Sequence, residues 1–172
     1  MFAPFGKNTK KAKAAYGAKP DSDLRFPGMK VAADAMMIEP ARFVAQTLSA
    51  QGDPVWEYQF GYVADSMRKQ WPGAPHAAEI PFVFDTVKAK YGAAATSADV
   101  KAREEVNDYW ANFVKTGNPN GEGLPHWPRY SVKTGQLMLF TENHGPEAMA
   151  DPWKARLNLT EAVADQKMNA QP

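Results

Sequence analysis

Apolar positions along this chain recur mostly at helical spacing, with one marked departure. Residues 3–16 are rich in Ala and Lys and end at Tyr16 and Gly17, which predicts a short helix stopped by the glycine. Two prolines and a glycine make residues 18–28 a loop. In residues 29–51, Val31, Ala35, Ile38, Phe43, Val44 and Leu48 repeat mostly at steps of three to five, as one helical face. Pro40 starts a new helix there at its first turn, and Gly52 and Asp53 close it. Residues 54–62 break this rhythm. Val55, Trp56, Tyr58, Phe60 and Tyr62 are strand formers, and Gly61 ends the run.

An irregular loop follows over 63–76, with Pro72, Gly73 and Pro75 before His76. Residues 77–91 then read as a short helix with Ile80, Val83, Phe84 and Val87 on one side. Ser97 is a candidate N-cap for a long helix to about Thr116, on which Val106, Tyr109, Trp110, Phe113 and Val114 repeat at helical spacing until Gly117 stops it. Residues 118–128 are a proline- and glycine-rich loop. Residues 130–132 and 136–140 pair as a hairpin around 133–135, and a last helix covers 151 to about 168. This inventory is mostly helical. Its central strand has no obvious partner, although buried unpaired backbone groups are costly.

Composition narrows the classes. With 172 residues, 44% hydrophobic and 23% charged, the chain reads as one ordered domain and not as a disordered segment. A net charge of +1 lacks the basic footprint of a nucleic-acid binder. Absence of cysteine excludes disulfides, thiolate zinc sites and cysteine nucleophiles. No apolar run approaches the roughly 18–20 residues of a membrane span. The lysines near the N-terminus follow its apolar residues, the reverse of a secretory signal. The compartment is left open.

No Gly-x-Ser-x-Gly elbow surrounds any of the five serines, and no Walker A, Gly-x-Gly-x-x-Gly or His-Glu-x-x-His pattern occurs. The histidines at 76, 126 and 144 lie far apart without ligand-like neighbours, so neither a metal nor a cofactor is expected. His76 is the candidate catalytic residue. It follows a strand and a loop and precedes a helix, where open α/β sheets place their sites, and imidazole moves protons near neutral pH. The alternative is a solvent-exposed loop histidine. Glu79 either orients that imidazole or is simply a carboxylate in a first helical turn. Tyr109, Trp110 and Phe113 read as core packing, His126 and His144 as loop residues, and Asn158-Leu-Thr160 as a chance match to a glycosylation acceptor.

Four blocks in order carry a family resemblance. Gly73-Ala-Pro-His76-Ala-Ala-Glu79-Ile-Pro-Phe-Val-Phe84 resembles the histidine motif of the type-B carboxylesterases, the cholinesterase and para-nitrobenzyl esterase family. Pro40-Ala-Arg42 with Pro54-Val-Trp-Glu-Tyr-Gln-Phe60 is similar to the helix and strand that precede that motif. Tyr109-Trp-Ala-Asn-Phe-Val-Lys-Thr-Gly-Asn-Pro-Asn120 and Trp127-Pro-Arg-Tyr130 look like two later blocks of the family. The resemblance implies α/β architecture: one partial domain over 1–172, the C-terminal third of an α/β-hydrolase catalytic domain, with one strand of the central sheet at about 54–62 and a small hairpin at about 130–140. It also implies a serine, acid and histidine triad in that chain order, with His76 as the histidine. The serine, the acid and the oxyanion loop are expected upstream of these residues.

Two functions follow as expectations. One is a piece of a carboxylic ester hydrolase, inactive alone, whose complete enzyme takes a small-molecule carboxylic ester. The other is a non-catalytic binding or assembly module, or a split-gene subunit that pairs with an upstream segment. The expected partners are that missing N-terminal part, or a second copy through exposed apolar surface, with no nucleic acid and no membrane. An unrelated helical protein with accidental motif matches is a third reading.

Overall fold

The computed structural model describes residues 1–19, 23–141 and 145–169. In chain order its α-helices are α1 (Thr9–Ala15), α2 (Arg25–Ala33), α3 (Glu39–Ala50), α4 (Ile80–Val83), α5 (Val87–Tyr91), α6 (Ser97–Thr116) and α7 (Lys154–Asn169). The strands are β1 (Tyr58–Phe60), β2 (Gln136–Thr141) and β3 (Gly145–Ala150). The chain divides into two units. One combines Met1–Asp53 with Asp151–Pro172, and the other is Pro54–Ala150.

In the first unit, Phe2, Phe5, Ala12 and Tyr16 form a buried cluster with ring centroids about 6 Å apart. α2 runs through a π-helical turn at Asp34–Ile38 into α3. Pro40 lies in the first turn of α3, as expected. It cannot donate to the carbonyl four residues back and its ring crowds that carbonyl, and the wide turn lies there. The expected apolar face is not the buried one. Ala35, Phe43, Val44 and Leu48 are exposed, with Met36 and Met37 beside them, whereas Asp34, Glu39, Arg42 and Ala45 are buried.

Partners on α7 explain this inversion. Arg156 pairs with Asp34 (2.9 Å), and Arg42 donates to Asn158 (2.9 Å) and Glu161 (3.0 Å). The Tyr16 hydroxyl donates to Asp34 (2.9 Å) and lies 2.8 Å from the Thr160 hydroxyl. Burial pushes the Tyr16 phenol up to about 12. Burial also holds the Asp34 carboxyl above the usual carboxylate range, against the opposing pull of Arg156.

In the second unit the sheet order is β1-β2-β3, with β1 parallel to β2 and β2 antiparallel to β3. Met138 on β2 is opposite Tyr58 on one side and Ala148 on the other. The parallel pair needs a long crossover, and α4, α5 and α6 lie along it. The aromatic strand therefore does have a partner, supplied from 80 residues further along the chain, Tyr58 facing Met138.

Two strand expectations are corrected. The strand is Tyr58–Phe60, shorter than 54–62, although one edge of the extended chain stays bonded at both ends. Val55 accepts from the Tyr130 amide (2.7 Å), Glu57 accepts from Met138 (2.9 Å), and Gly61 donates to Phe140 (2.8 Å). The hairpin is not 130–140. The Tyr130 amide is committed to Val55, and Gly135 donates to the Ser131 carbonyl (2.8 Å) to close a local turn. β2 instead pairs with β3, and the link between them, including His144, lies outside the described residues.

The core of this unit joins Tyr62, Phe82, Val106, Tyr109, Trp127, Met138 and Phe140. The long helix matches its expected range, except that Thr96 and not Ser97 is the N-cap. Thr96 and Asp99 form a capping box, and Gly117 ends the helix at φ 71°, where a side chain would be strained.

Candidate functional site

His76 lies on the loop between β1 and α4. The loop is held at both ends. At its start, Tyr62, Val63 and Ala64 are buried, and the Tyr62 hydroxyl donates to Asp99 (2.8 Å). The same Asp99 oxygen accepts from the Asp65 amide (3.1 Å), and its other oxygen accepts from the Thr96 amide (2.9 Å). Arg68 pairs with Asp65 (2.7 Å) and donates to the Val63 carbonyl (3.3 Å). At the far end Phe82 is fully buried, with its ring 5.2 Å from those of Phe60 and Tyr62. Asn107 on α6 donates to the Val83 carbonyl (2.7 Å).

Between these anchors the chain turns sharply. Ala78 donates to the Pro75 carbonyl (3.1 Å), and Ala77 is left-handed at φ 65°, a conformation alanine adopts at a cost. The imidazole of His76 is presented to solvent on this turn. Among the described residues none hydrogen-bonds to it. Glu79 occupies the N-cap position of α4, where its carbonyl accepts from Phe82 (2.9 Å) and Val83 (3.0 Å). It makes no hydrogen bond to His76.

The expected single helix over 77–91 is two short ones, because Asp85 turns left-handed at φ 55° between α4 and α5. Pro81, Phe82 and Val87 are buried there, while Ile80 and Phe84 are exposed. His126 is exposed in the loop after α6. Among the described residues there is no cluster of three metal-ligating side chains, and no helix is long and apolar enough to cross a membrane.

The residues that sequence reasoning missed are Tyr62, Asp65 and Asp99, which tie the histidine loop to α6. A signal existed: Thr96-Ser-Ala-Asp99 is a capping-box pattern, and it marks Asp99 as an acceptor. Burial raises the Asp99 carboxyl, but the hydrogen bonds from Thr96, Tyr62 and Asp65 outweigh it and hold the group below the usual carboxylate range. A depressed folded value stabilises the fold above the unfolded value, and the contribution is lost as pH falls through the folded one. Tyr62→Phe is therefore expected to cost about 1–3 kcal/mol at pH 7. The penalty should shrink below about pH 4, where unfolded aspartate protonates. Urea unfolding of both proteins at pH 7 and pH 3 measures this, and a penalty independent of pH would refute the charge-assisted bond.

Residues 7–160 match the profile of the family described as the Carboxylesterase family. The chain belongs to that family. Among its relatives, Carboxylesterase 1C of Rattus norvegicus is 39% identical over 103 residues, which is 58% of this chain and 18% of that protein. A protein of Anas platyrhynchos named "Fatty acyl-CoA hydrolase precursor, medium chain" is 40% identical over 135 residues, 76% of this chain and 24% of that one. A solved carboxylesterase of Geobacillus stearothermophilus superposes with a TM-score of 0.69 at 25% identity, over 87% of this chain and 31% of that chain. This carboxylesterase chain thus spans about a fifth of the length of its curated relatives. Its fold class is α/β, a part of the α/β-hydrolase fold, mostly helical with a three-stranded sheet.

Proposed function

We infer that this chain supplies the triad histidine, His76, to a serine carboxylesterase whose nucleophile, acid and oxyanion loop lie outside these 172 residues. The observation that carries this reading is the presentation of His76. Its imidazole is exposed on a sharply turned loop, within the family's histidine motif, between two buried anchors. In acyl transfer the imidazole accepts the serine proton as Oγ attacks the ester carbonyl, and gives it to the departing alcohol. It then takes a proton from water, which hydrolyses the acyl-serine, and returns it to the serine. Without a nucleophile the isolated chain turns nothing over.

The exposed side chains of Met29, Met36, Phe43 and Val44 on α2, the π turn and α3 favour a second reading, an assembly module that pairs with an upstream segment or with itself. One assay addresses both. Hydrolysis of p-nitrophenyl acetate is measured for the chain alone and for the chain co-expressed with the part of the Geobacillus stearothermophilus carboxylesterase that it does not match. Turnover only in the assembled form supports the triad reading. A stable assembly without turnover supports the module. Turnover by the chain alone, lost on His76→Ala, would mean that these residues contain a nucleophile and would overturn the inactivity.

A further inference from the structure

We propose that Asn120 is a site of spontaneous covalent modification, whose side-chain amide closes onto the Gly121 nitrogen, opens to aspartate or isoaspartate, and so unfastens the Trp127 segment. This assignment stands apart from the role of His76.

The dipeptide is the first argument. Of the chain's asparagines, Asn120 alone is followed by glycine. Glycine has no β-carbon to hinder ring closure. Asn118 precedes Pro119, which has no N–H to react. Asn107, Asn112 and Asn158 lie inside α6 and α7, where the next amide is committed to the helical ladder. The Gly121 amide, by contrast, has no acceptor among the described residues, and Gly121 is exposed.

Packing is the second argument. The Asn112 side-chain amide stands where a β-carbon at Gly121 would need to be, and it is itself bonded to the Pro119 carbonyl (3.2 Å). That contact favours glycine at residue 121. Asn120 is held by three bonds. Its Nδ2 donates to Asn118 Oδ1 (2.9 Å) and to the Trp127 carbonyl (2.9 Å), and its Oδ1 accepts from the Trp127 amide (2.7 Å). A side-chain amide offers both the donor and the acceptor that this clamp uses. The fold therefore sets asparagine beside glycine and at the same time restrains the reacting amide.

The chemistry balances without an oxidant or reductant. The Gly121 nitrogen attacks Cγ of Asn120 and gives up its proton. The bond from Cγ to Nδ2 breaks, and ammonia leaves with that proton. Water then adds to either carbonyl of the five-membered imide and breaks that carbonyl's bond to the Gly121 nitrogen. Opening at Cγ yields isoaspartate's counterpart, aspartate, only when the backbone carbonyl keeps the nitrogen; opening at the backbone carbonyl yields isoaspartate. The chain thereby loses its single net positive charge.

Either product breaks the clamp. Aspartate puts a carboxylate oxygen in place of Nδ2, facing the oxygens of Trp127 and Asn118 with no proton to share. Isoaspartate lengthens the main chain by one carbon and shortens the side chain by one. Trp127 is buried and its indole donates to the Glu57 carbonyl (3.0 Å), so the clamp fixes a segment that packs against β1.

The test is storage of the chain in mildly alkaline buffer, folded and in urea. The tryptic peptide of residues 116–129 is then resolved into its asparagine, aspartate and isoaspartate forms. Conversion at Asn120 is expected in the folded chain, about tenfold slower than in urea, where the three bonds are gone. Backbone amides of residues 121–127 should exchange with deuterium about tenfold faster in the converted chain. Asn120→Asp supplies one product without the reaction. Its amides should also exchange faster at pH 7, and the difference should shrink below about pH 4, where the protonated carboxyl donates again. No conversion in the folded chain, equal rates folded and in urea, or conversion without faster exchange would each overturn the proposal without reference to any variant.

Discussion

In an esterase assembled from this chain and a serine-bearing segment, His76→Ala is expected to lower kcat for p-nitrophenyl acetate about 10⁴–10⁶-fold. The size follows from the role. Without the base, serine must attack as a neutral hydroxyl and the alcohol must leave without a proton donor. The substitution should leave the fold almost untouched, within about 0.5 kcal/mol, because the side chain is exposed and bonded to nothing among the described residues. That combination separates chemistry from folding, and added imidazole should restore part of the lost rate. Two controls sharpen it. His126→Ala should change nothing, since that side chain is exposed in another loop. Glu79→Gln should cost less than about tenfold, since Glu79 makes no bond to the imidazole. A loss below tenfold for His76→Ala, with an intact assembly, would remove His76 from the triad.

Arg156→Ala is expected to destabilise the first unit by about 3–5 kcal/mol at pH 7, because it leaves the Asp34 carboxylate buried without a countercharge. Asp34 is fully buried, and Arg156 supplies an ion pair at 2.9 Å and a further hydrogen bond at 3.1 Å. The Arg156 guanidinium also lies 4.6 Å from the centroid of the Trp153 ring, so truncation loses packing as well as charge. The pH dependence gives a signature. Asp34 titrates above its ordinary range in the folded chain. Its contribution therefore favours the fold below the unfolded value and is lost as pH rises through the folded one. Removing Arg156 raises that folded value further, so the deficit is greatest at neutral pH and contracts toward about pH 4.

Joint replacement by Asp34→Asn and Arg156→Met should recover most of the loss, since an uncharged pair needs no compensation. Urea unfolding followed by circular dichroism measures both effects, and a deficit that does not vary with pH would refute the account. The same pair explains why periodicity misled over residues 29–51. Hydrophobic spacing identifies an apolar stripe, but a helix buries whichever face finds compensation. Here Asp34 and Arg42 find it on α7, more than 110 residues away in sequence.

Features set within a few residues were legible in the chain itself. The left-handed stop at Gly117, the entry of α3 at Pro40 and the order of strand, loop and helix around His76 follow from local backbone preference, whereas local pattern puts the cap of α6 one residue late, at Ser97, the strand too long and the helix after His76 in one piece. The ordered set of motifs that marks the carboxylesterase family is legible in the chain as well. Tertiary structure alone decided three things. β2 pairs with β1 and β3 rather than folding back on residues 130–132, because the Tyr130 amide is taken by Val55. The polar side of α2 and α3 is the buried one, because its charges meet partners from α7. Trp56 and Tyr58 of the β1 segment meet Phe113 and Trp110 of α6 edge to face, at 5.9 and 4.9 Å, because the crossover lays α6 against that segment. Each depends on groups distant in sequence, whose desolvation and pairing no local pattern encodes.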